Sequence, residues 1–119
     1  MTDIDIIISN KGLSSAKDIN IIAIYDIPFV RNSIIKGSVE TIILTINELP
    51  IFKDGIPYIA PGDSIRDNIG KFQNDDIRDN PLVNINYSYK TETSETIYSN
   101  IMLDLRYLPL DLGYLAREE

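Results

Sequence analysis

A proline–glycine corner joins two apolar segments in the middle of the chain, Gly55-Ile56-Pro57-Tyr58-Ile59-Ala60-Pro61-Gly62-Asp63-Ser64-Ile65. Pro61 and Gly62 suit the central positions of a type II turn, because proline presets φ and glycine accepts the positive φ that the second position needs. Pro57 has no N–H to give to a neighbouring strand, so residues 56–59 are predicted to form an edge strand. The chain is therefore expected to reverse at this corner, which packs onto a core.

The size and charge of the chain limit what it can be. Its 119 residues match a single domain, and the absence of cysteine excludes disulfide bonds and thiolate chemistry. The apolar runs fall far short of the ~20 residues that span a bilayer, and the acidic first residues do not predict an export signal. A net charge of −7 opposes binding to nucleic acid or anionic lipid. We expect no membrane contact by this chain itself, and its location, cytoplasmic or tethered in a longer form, stays open.

Strand patterns cover most of the sequence. Ile4, Ile6 and Ile8 alternate with other residues, as in a strand with one buried face. The segment 18–25 is apolar on both sides beyond Ile21, which is typical of a central strand. Residues 82–90 and 97–107 are predicted to pair as a hairpin, with Tyr87 and Tyr89 pointing inward.

Two segments are harder to interpret. Pro28 interrupts the run from Asp26 to Gly37, for which we expect an irregular excursion or a bent strand. Beyond Ile65 the many Asp and Asn residues predict loops around a short apolar island at 69–72. The strands and turns together predict an all-β fold, an antiparallel immunoglobulin-like β-sandwich of about seven strands. The sandwich is assigned to residues 1–110, with 111–119 a tail or the start of a short helix.

The order of several motifs is similar to a known group of domains. These motifs are Asn10-x-Gly12-x-x-x-Ala16, the Gly55-Ile56-Pro57-Tyr58-Ile59-Ala60-Pro61-Gly62 stretch, Tyr87, Tyr98, Leu103-Asp104-Leu105 and Tyr107. Together they resemble the uncharacterised immunoglobulin-like β-sandwich domain of bacterial hypothetical proteins, which is often anchored in a membrane. The turn chemistry of these residues predicts structural turns at Asn10, Gly12, Gly55, Pro61 and Gly62. The resemblance implies a β-sandwich fold and a membrane-tethered accessory role. It implies no catalytic residue.

Most catalytic chemistry lacks its residues here. The chain has no histidine, which excludes the usual general base, the serine triad and histidine metal ligands. Gly70-Lys71 lacks the upstream glycine and the following hydroxyl of a phosphate-binding loop. We therefore expect neither enzymatic activity nor a cofactor.

An acidic, amide-rich segment is the candidate metal site, and Ile-Arg-Asp-Asn occurs in it twice. Its carboxylates could offer oxygen ligands to Ca²⁺, and they belong to Asp63, Asp67, Asp75, Asp76 and Asp79. Their spacing does not match an EF-hand, and Arg66 and Arg78 can neutralise them. A solvated polar loop is the simpler interpretation, and no metal is expected on balance.

Tyrosines supply the candidate partner surface, since they are enriched at protein interfaces. Tyr98 lies outward relative to Ile97 and Ile101, so it is the tyrosine expected to be exposed. The sequence favours a non-catalytic interaction or accessory domain that binds a protein partner through a strand edge or loops. A Ca²⁺-dependent or carbohydrate-binding module and a structural subunit of a larger assembly, including a homo-oligomer, remain alternatives.

Overall fold

The computed structural model describes residues 1–113 and consists of two β-sheets packed as a sandwich. The strands are β1 (Thr2–Ser9), β2 (Ala16–Ile24), β3 (Phe29–Ile35), β4 (Ser38–Leu44), β5 (Ile56–Ile59), β6 (Ser64–Phe72), β7 (Leu82–Lys90), β8 (Thr96–Asp104) and β9 (Leu110–Gly113). One sheet has the order β4-β3-β6-β1-β9 and the other β5-β2-β7-β8. A 3₁₀ turn (Ile46–Glu48) and two short helices, α1 (Pro50–Lys53) and α2 (Asn74–Asp79), lie in the connections. The predicted all-β sandwich is confirmed.

The strand count and the last strand differ in detail from the sequence-based expectation. Residues 1–113 form nine strands, and β9 pairs with β1 in parallel, whereas the other pairs are antiparallel. Leu110 and Leu112 of β9 are buried, so the sandwich continues past residue 110, where the tail was expected to begin. The helix suggested for the C-terminal end falls mainly on residues outside the described range. No helix within residues 1–113 is long and apolar enough to cross a bilayer.

The core lies between the sheets and is built mainly from aliphatic residues. Ile4, Ile6 and Ile8 of β1 are buried, as their alternation predicts. The second strand occupies the expected interior position, and its apolar residues Ile22 and Ile24 are exposed. The strand is central within its sheet, but only the inner face of that sheet meets the other layer.

The predicted hairpin of β7 and β8 is confirmed, with register from Leu82↔Asp104 to Lys90↔Thr96. Tyr89 is buried and Tyr87 half-buried against the core, so both point inward as expected. Tyr98 is 80% exposed.

The two difficult segments are more regular than predicted. Residues 29–35 form an uninterrupted strand, because Pro28 precedes it rather than lying within it. Residues 64–72 form one nine-residue strand between β1 and β3, not loops. Its ladder with β1 has one register shift, between Ile4 and Asp5. The polar side chains of Arg66 and Asn68 bond carboxylates of the neighbouring β1.

The central corner has the predicted geometry. The N–H of Asp63 donates to the carbonyl of Ala60 (3.0 Å), and Gly62 has φ +81°, as a type II turn requires. The strand before the corner, β5, lies at the edge of its sheet, as Pro57 predicts.

A single buried side chain, Asn10, ties this corner to the end of β1. Its Nδ2 donates to the carbonyls of Ser14 (2.8 Å) and Ile59 (3.0 Å), and its Oδ1 accepts from the N–H of Gly12 (3.0 Å). Its main chain also bonds the corner, through Asp63 O (2.9 Å) and Gly62 N (2.8 Å). Asn10, Gly12 and Gly62 therefore meet in one hydrogen-bonded unit, and its centre is Asn10, which is fully buried. Gly55 (φ +77°) lies apart from this unit, before β5, where a Cβ would be 2.6 Å from the carbonyl oxygen of Ile19.

Replacing Asn10 by alanine is expected to lower the free energy of unfolding by about 3 kcal/mol, because it leaves three main-chain groups without their partner. Urea unfolding followed by circular dichroism measures the change. Asn20→Ala is the matched control: it removes one bond of an exposed amide and should change stability by less than about 0.5 kcal/mol. Equal effects of the two substitutions would contradict the central role of Asn10.

Candidate functional site

A β-hairpin of β3 and β4, residues 29–44, projects from the five-stranded sheet, and we call it the arm. Its strands are in register from Phe29↔Leu44 to Ile35↔Ser38. Lys36 (φ +50°) and Gly37 (φ +80°) form its two-residue turn, and positive φ at both positions is the signature of a type I′ hairpin turn. Local sequence therefore specifies the arm without help from the sandwich.

The arm is attached to the sandwich at its base. The register with β6 contains one pair, Val30↔Lys71, so the two strands diverge beyond it. Phe29 is buried, with its ring centroid 5.0 Å from that of Phe72. Gly70 allows the base of the arm to approach β6 closely, since a Cβ at this position would lie 2.6 Å from Cδ2 of Phe29 and 2.7 Å from the carbonyl oxygen of Val30.

Beyond its base, the arm exposes apolar side chains. Ile34, Val39 and Ile43 are 77%, 71% and 71% exposed. Because Ile34 pairs with Val39 and Val30 with Ile43, these residues share one face of the ribbon. The pair Asn32 and Thr41 lies between them on this face, joined by a 3.3 Å hydrogen bond. An aliphatic face of this kind on a projecting ribbon is typical of an interaction surface.

The outer edge of the arm, along β4, carries few of the features that block strand addition. Proteins blunt such edges with proline, lysine or a covering segment. The β5 edge contains Pro57. Beyond Ile19, where β2 no longer pairs with β5, the β2 backbone is covered by Asn47, whose side chain bonds both the N–H (2.9 Å) and the carbonyl (2.7 Å) of Ala23. Residues 38–44 contain neither proline nor lysine, and Glu40 is their one charged residue. The β4 backbone edge therefore remains open to a partner strand.

Tyr98 belongs to a different surface, the outer face of the four-stranded sheet. Tyr98 lies opposite Ser88 across the hairpin, and a shallow depression beside it includes Asn20, Ile22 and Asn86 among its lining residues. Nearby, Asn100 Nδ2 donates to Oδ1 of both Asn84 and Asn86 (2.6 Å for Asn86). This face mixes neutral amides with apolar side chains, since Ile22, Ile24 and Met102 are also exposed.

The acidic residues singled out from the sequence are dispersed. Asp63 lies at the corner, Asp67 lies on β6 opposite Ile6, and Asp75, Asp76 and Asp79 lie on α2, at the other end of β6. Arg78 pairs with Asp75 (3.3 Å) and Asp79 (3.0 Å), and its hydrogen bond lowers the pKa of Asp79. In the described part of the chain no three acidic side chains are grouped so as to hold a metal ion.

A polar cluster on the outer face of β1 and β6 explains the charge pattern of β6. Asp5 accepts from Asn68 (2.8 Å) and from both Nε and Nη2 of Arg66 (3.0 and 2.9 Å). These bonds, that of Asn68 first and those of Arg66 second, hold the pKa of Asp5 below its ordinary value of 3.8. The segment that looked like a loop is thus held as a strand by cross-strand pairs.

The arm was not identified from the sequence, although signals for it are present. Lys36-Gly37 is a two-residue turn signal, and Val39, Thr41 and Ile43 alternate along the following segment as β-branched residues do in a strand. Pro28 directed the interpretation toward an irregular segment, and nothing in the local sequence shows that a strand lacks a covering layer.

Gly70→Ala is expected to destabilise the protein by about 2 kcal/mol, because the new methyl group overlaps the Phe29 ring and the Val30 carbonyl at the base of the arm. Tryptic cleavage after Arg31 and Lys36 should accelerate as the arm detaches. The control is Gly37→Asn, a left-handed turn position with open space around it, which should cost less than about 0.5 kcal/mol. An unchanged cleavage rate in the Gly70 variant would show that the arm does not depend on this packing.

Asp5→Asn is expected to weaken the fold in a pH-dependent way. Because the folded-state pKa of Asp5 is lowered, its carboxylate stabilises the protein above its ordinary value of 3.8, and this contribution is lost as the pH falls through the folded value. The variant should be less stable than wild type by about 0.2–1 kcal/mol at neutral pH, the range for exposed ion pairs. Urea titrations should show this gap narrowing as the pH falls below 3.8. The control Asp54→Asn, at an exposed position, should change the stability by less than about 0.5 kcal/mol at neutral pH.

Comparison with known proteins places the chain in one family. A family model described as Domain of unknown function (DUF8453) matches residues 1–109, which include the arm, the Asn10 corner and the β7–β8 hairpin. No curated protein and no solved structure matches the sequence. The chain therefore belongs to the DUF8453 family.

Proposed function

We propose that this domain is a non-catalytic interaction module that binds a protein partner through the β4 edge of the arm. The observation that carries the proposal is the combination of an open backbone edge with the exposed aliphatic residues Ile34, Val39 and Ile43. Strand addition at such an edge is a general mode of protein recognition, in which main-chain hydrogen bonds give affinity and alternate side chains give specificity.

Energetics support a partner at this position. A two-stranded ribbon is marginally stable in water by itself, and further strands or a packed face stabilise it. Among the described residues, the arm packs against the sandwich at its base, where Phe29 contacts Phe72 and Leu44 lies against the core. A partner that covered Ile34, Val39 and Ile43 would remove apolar surface from water, at about 25 cal/mol for each Å².

The immunoglobulin-like character and the accessory role in a longer, membrane-tethered protein form part of this proposal. The non-sequential strand order, in which β1 lies between β6 and β9, supports the immunoglobulin-like character, since long connections between the sheets are typical of such sandwiches.

The exposed Tyr98 and the amides of Asn84, Asn86 and Asn100 favour a second candidate function, carbohydrate binding on the outer face of the four-stranded sheet. An aromatic ring beside neutral hydrogen-bonding groups suits a sugar, since it offers both an apolar face and amide donors and acceptors. Two further alternatives are a Ca²⁺-dependent module and a structural subunit. A calcium-dependent rise in melting temperature would favour the first, and a large assembly would favour the second.

Site-specific photo-crosslinking in the native cells tests the proposal. A photoreactive amino acid at Val39, on the arm, should form a covalent adduct with another polypeptide, and the same amino acid at the exposed Thr93, in the β7–β8 loop, should not. Adducts of equal yield at both positions, or none at Val39, would contradict binding through the arm. The mass of the adduct identifies the partner.

A further inference from the structure

We propose that the partner of the arm is a second copy of this chain, joined through antiparallel pairing of the two β4 strands about a two-fold axis at Thr41. The inference rests on the proposed function, because it names the occupant of the same edge. In the dimer the five strands of each copy would form one continuous sheet across the axis.

The hydrogen-bonding groups at the edge have the spacing that this pairing needs. Ile35 and Ser38 flank the two-residue turn and form a hydrogen-bonded pair, after which bonded and non-bonded pairs alternate along the hairpin. Val39, Thr41 and Ile43 therefore stand at non-bonded positions toward β3, with their N–H and carbonyl groups directed to the open edge. With the axis at Thr41, each of these groups meets a counterpart on the second copy.

The side chains are self-complementary in this register. Thr41 lies opposite its own equivalent, and Val39 lies opposite Ile43 of the second copy. Since Ile34 stands beside Val39 and Val30 beside Ile43 within each arm, four branched aliphatic side chains line up across the sheet on each side of the axis. Cross-strand pairs of β-branched residues stabilise a sheet. In this register Ile34, Val39 and Ile43, which are exposed in the single chain, become neighbours across the two copies.

The charges also favour this edge as the place where two copies meet. The chain carries a net charge of −7, which opposes self-association in general. Residues 29–44 carry Arg31, Lys36 and Glu40, two positive charges and one negative, so the arm has a net charge of +1. In the proposed register Glu40 faces Ile42 of the second copy, and Arg31 of that second copy lies on the far side of Ile42. No two like charges therefore face each other across the axis.

The edge of β8, also an outermost strand, is less suited to self-pairing. Its amide Asn100 is already engaged with Asn84 and Asn86 on the neighbouring strand, and its inner face covers the core through Leu103. β8 also exposes Tyr98 and Met102, but the exposed side chains of the arm at Ile34, Val39 and Ile43 are all branched aliphatic.

Light scattering of the purified full chain tests the inference over roughly 1–100 μM, the range for an interface of modest area. The expected result is a concentration-dependent rise toward twice the monomer mass of 13.5 kDa. Thr41→Pro should abolish this rise, because proline removes a donor from the open edge while sparing the bonds between β3 and β4. Thr41→Val, which keeps the donor, and Tyr98→Ser, on the other sheet, should leave dimerisation intact.

A monomer at every concentration, or a dimer that Thr41→Pro leaves unchanged while its circular dichroism remains native, overturns the inference. Crosslinking at Val39 distinguishes a failure of the self-pairing inference from a failure of the proposed binding through the arm. An adduct with a different polypeptide, combined with a monomeric purified chain, would overturn self-pairing and leave binding through the arm in place. No adduct at Val39 would overturn binding through the arm itself.

Discussion

The hydrogen bonds of Asn10 hold together the parts of the chain on which the two-sheet arrangement depends. They link the end of β1, in one sheet, to Ile59 at the end of β5, in the other sheet. The same residue bonds the turn that leads into β6. Because a fully buried amide is costly unless its groups are paired, this position fixes the relative placement of the sheets more strictly than an apolar contact would. The Pro61-Gly62 corner is thus a joint between the two layers as well as a reversal of the chain.

The arm follows a different principle from the sandwich. Strands of the sandwich bury one face against the other sheet, whereas the arm is specified by its own turn at Lys36-Gly37 and by its pairing register. Its contact with the body is confined to the base, where Gly70 permits Phe29 to pack on Phe72. A segment ordered by local pairing and exposing aliphatic residues can add a strand to a sheet without rearranging the core. This is the physical basis for proposing the arm, rather than a pocket, as the binding surface.

The acidic character of the chain has a structural explanation over much of β1, β6 and α2. Asp5 with Arg66 and Asp79 with Arg78 form pairs in which hydrogen bonds lower the pKa of the carboxyl group. Both pairs satisfy charges locally, and that of Asp5 with Arg66 also links the adjacent strands β1 and β6, but exposed pairs of this kind add little stability. Of the carboxylates that suggested a calcium site, Asp75 and Asp79 pair with Arg78, and Asp63, at the corner before β6, lies apart from α2.

Local sequence was sufficient for the features that depend on neighbouring residues. The alternation of Ile4, Ile6 and Ile8, the edge position imposed by Pro57, the turn at Pro61-Gly62 and the β7–β8 hairpin all follow from steric and periodic rules. The sequence did not reveal that the polar strand β6 is stabilised by Asp5 on the neighbouring strand. Nor did it reveal that the apolar strand β4 has no layer packed on it within residues 1–113. Those properties depend on residues about sixty positions away, or on the absence of a neighbour. Tertiary structure alone decided that Ile22 and Ile43 face solvent while Asn10 is buried, because burial depends on what the rest of the chain places against a residue.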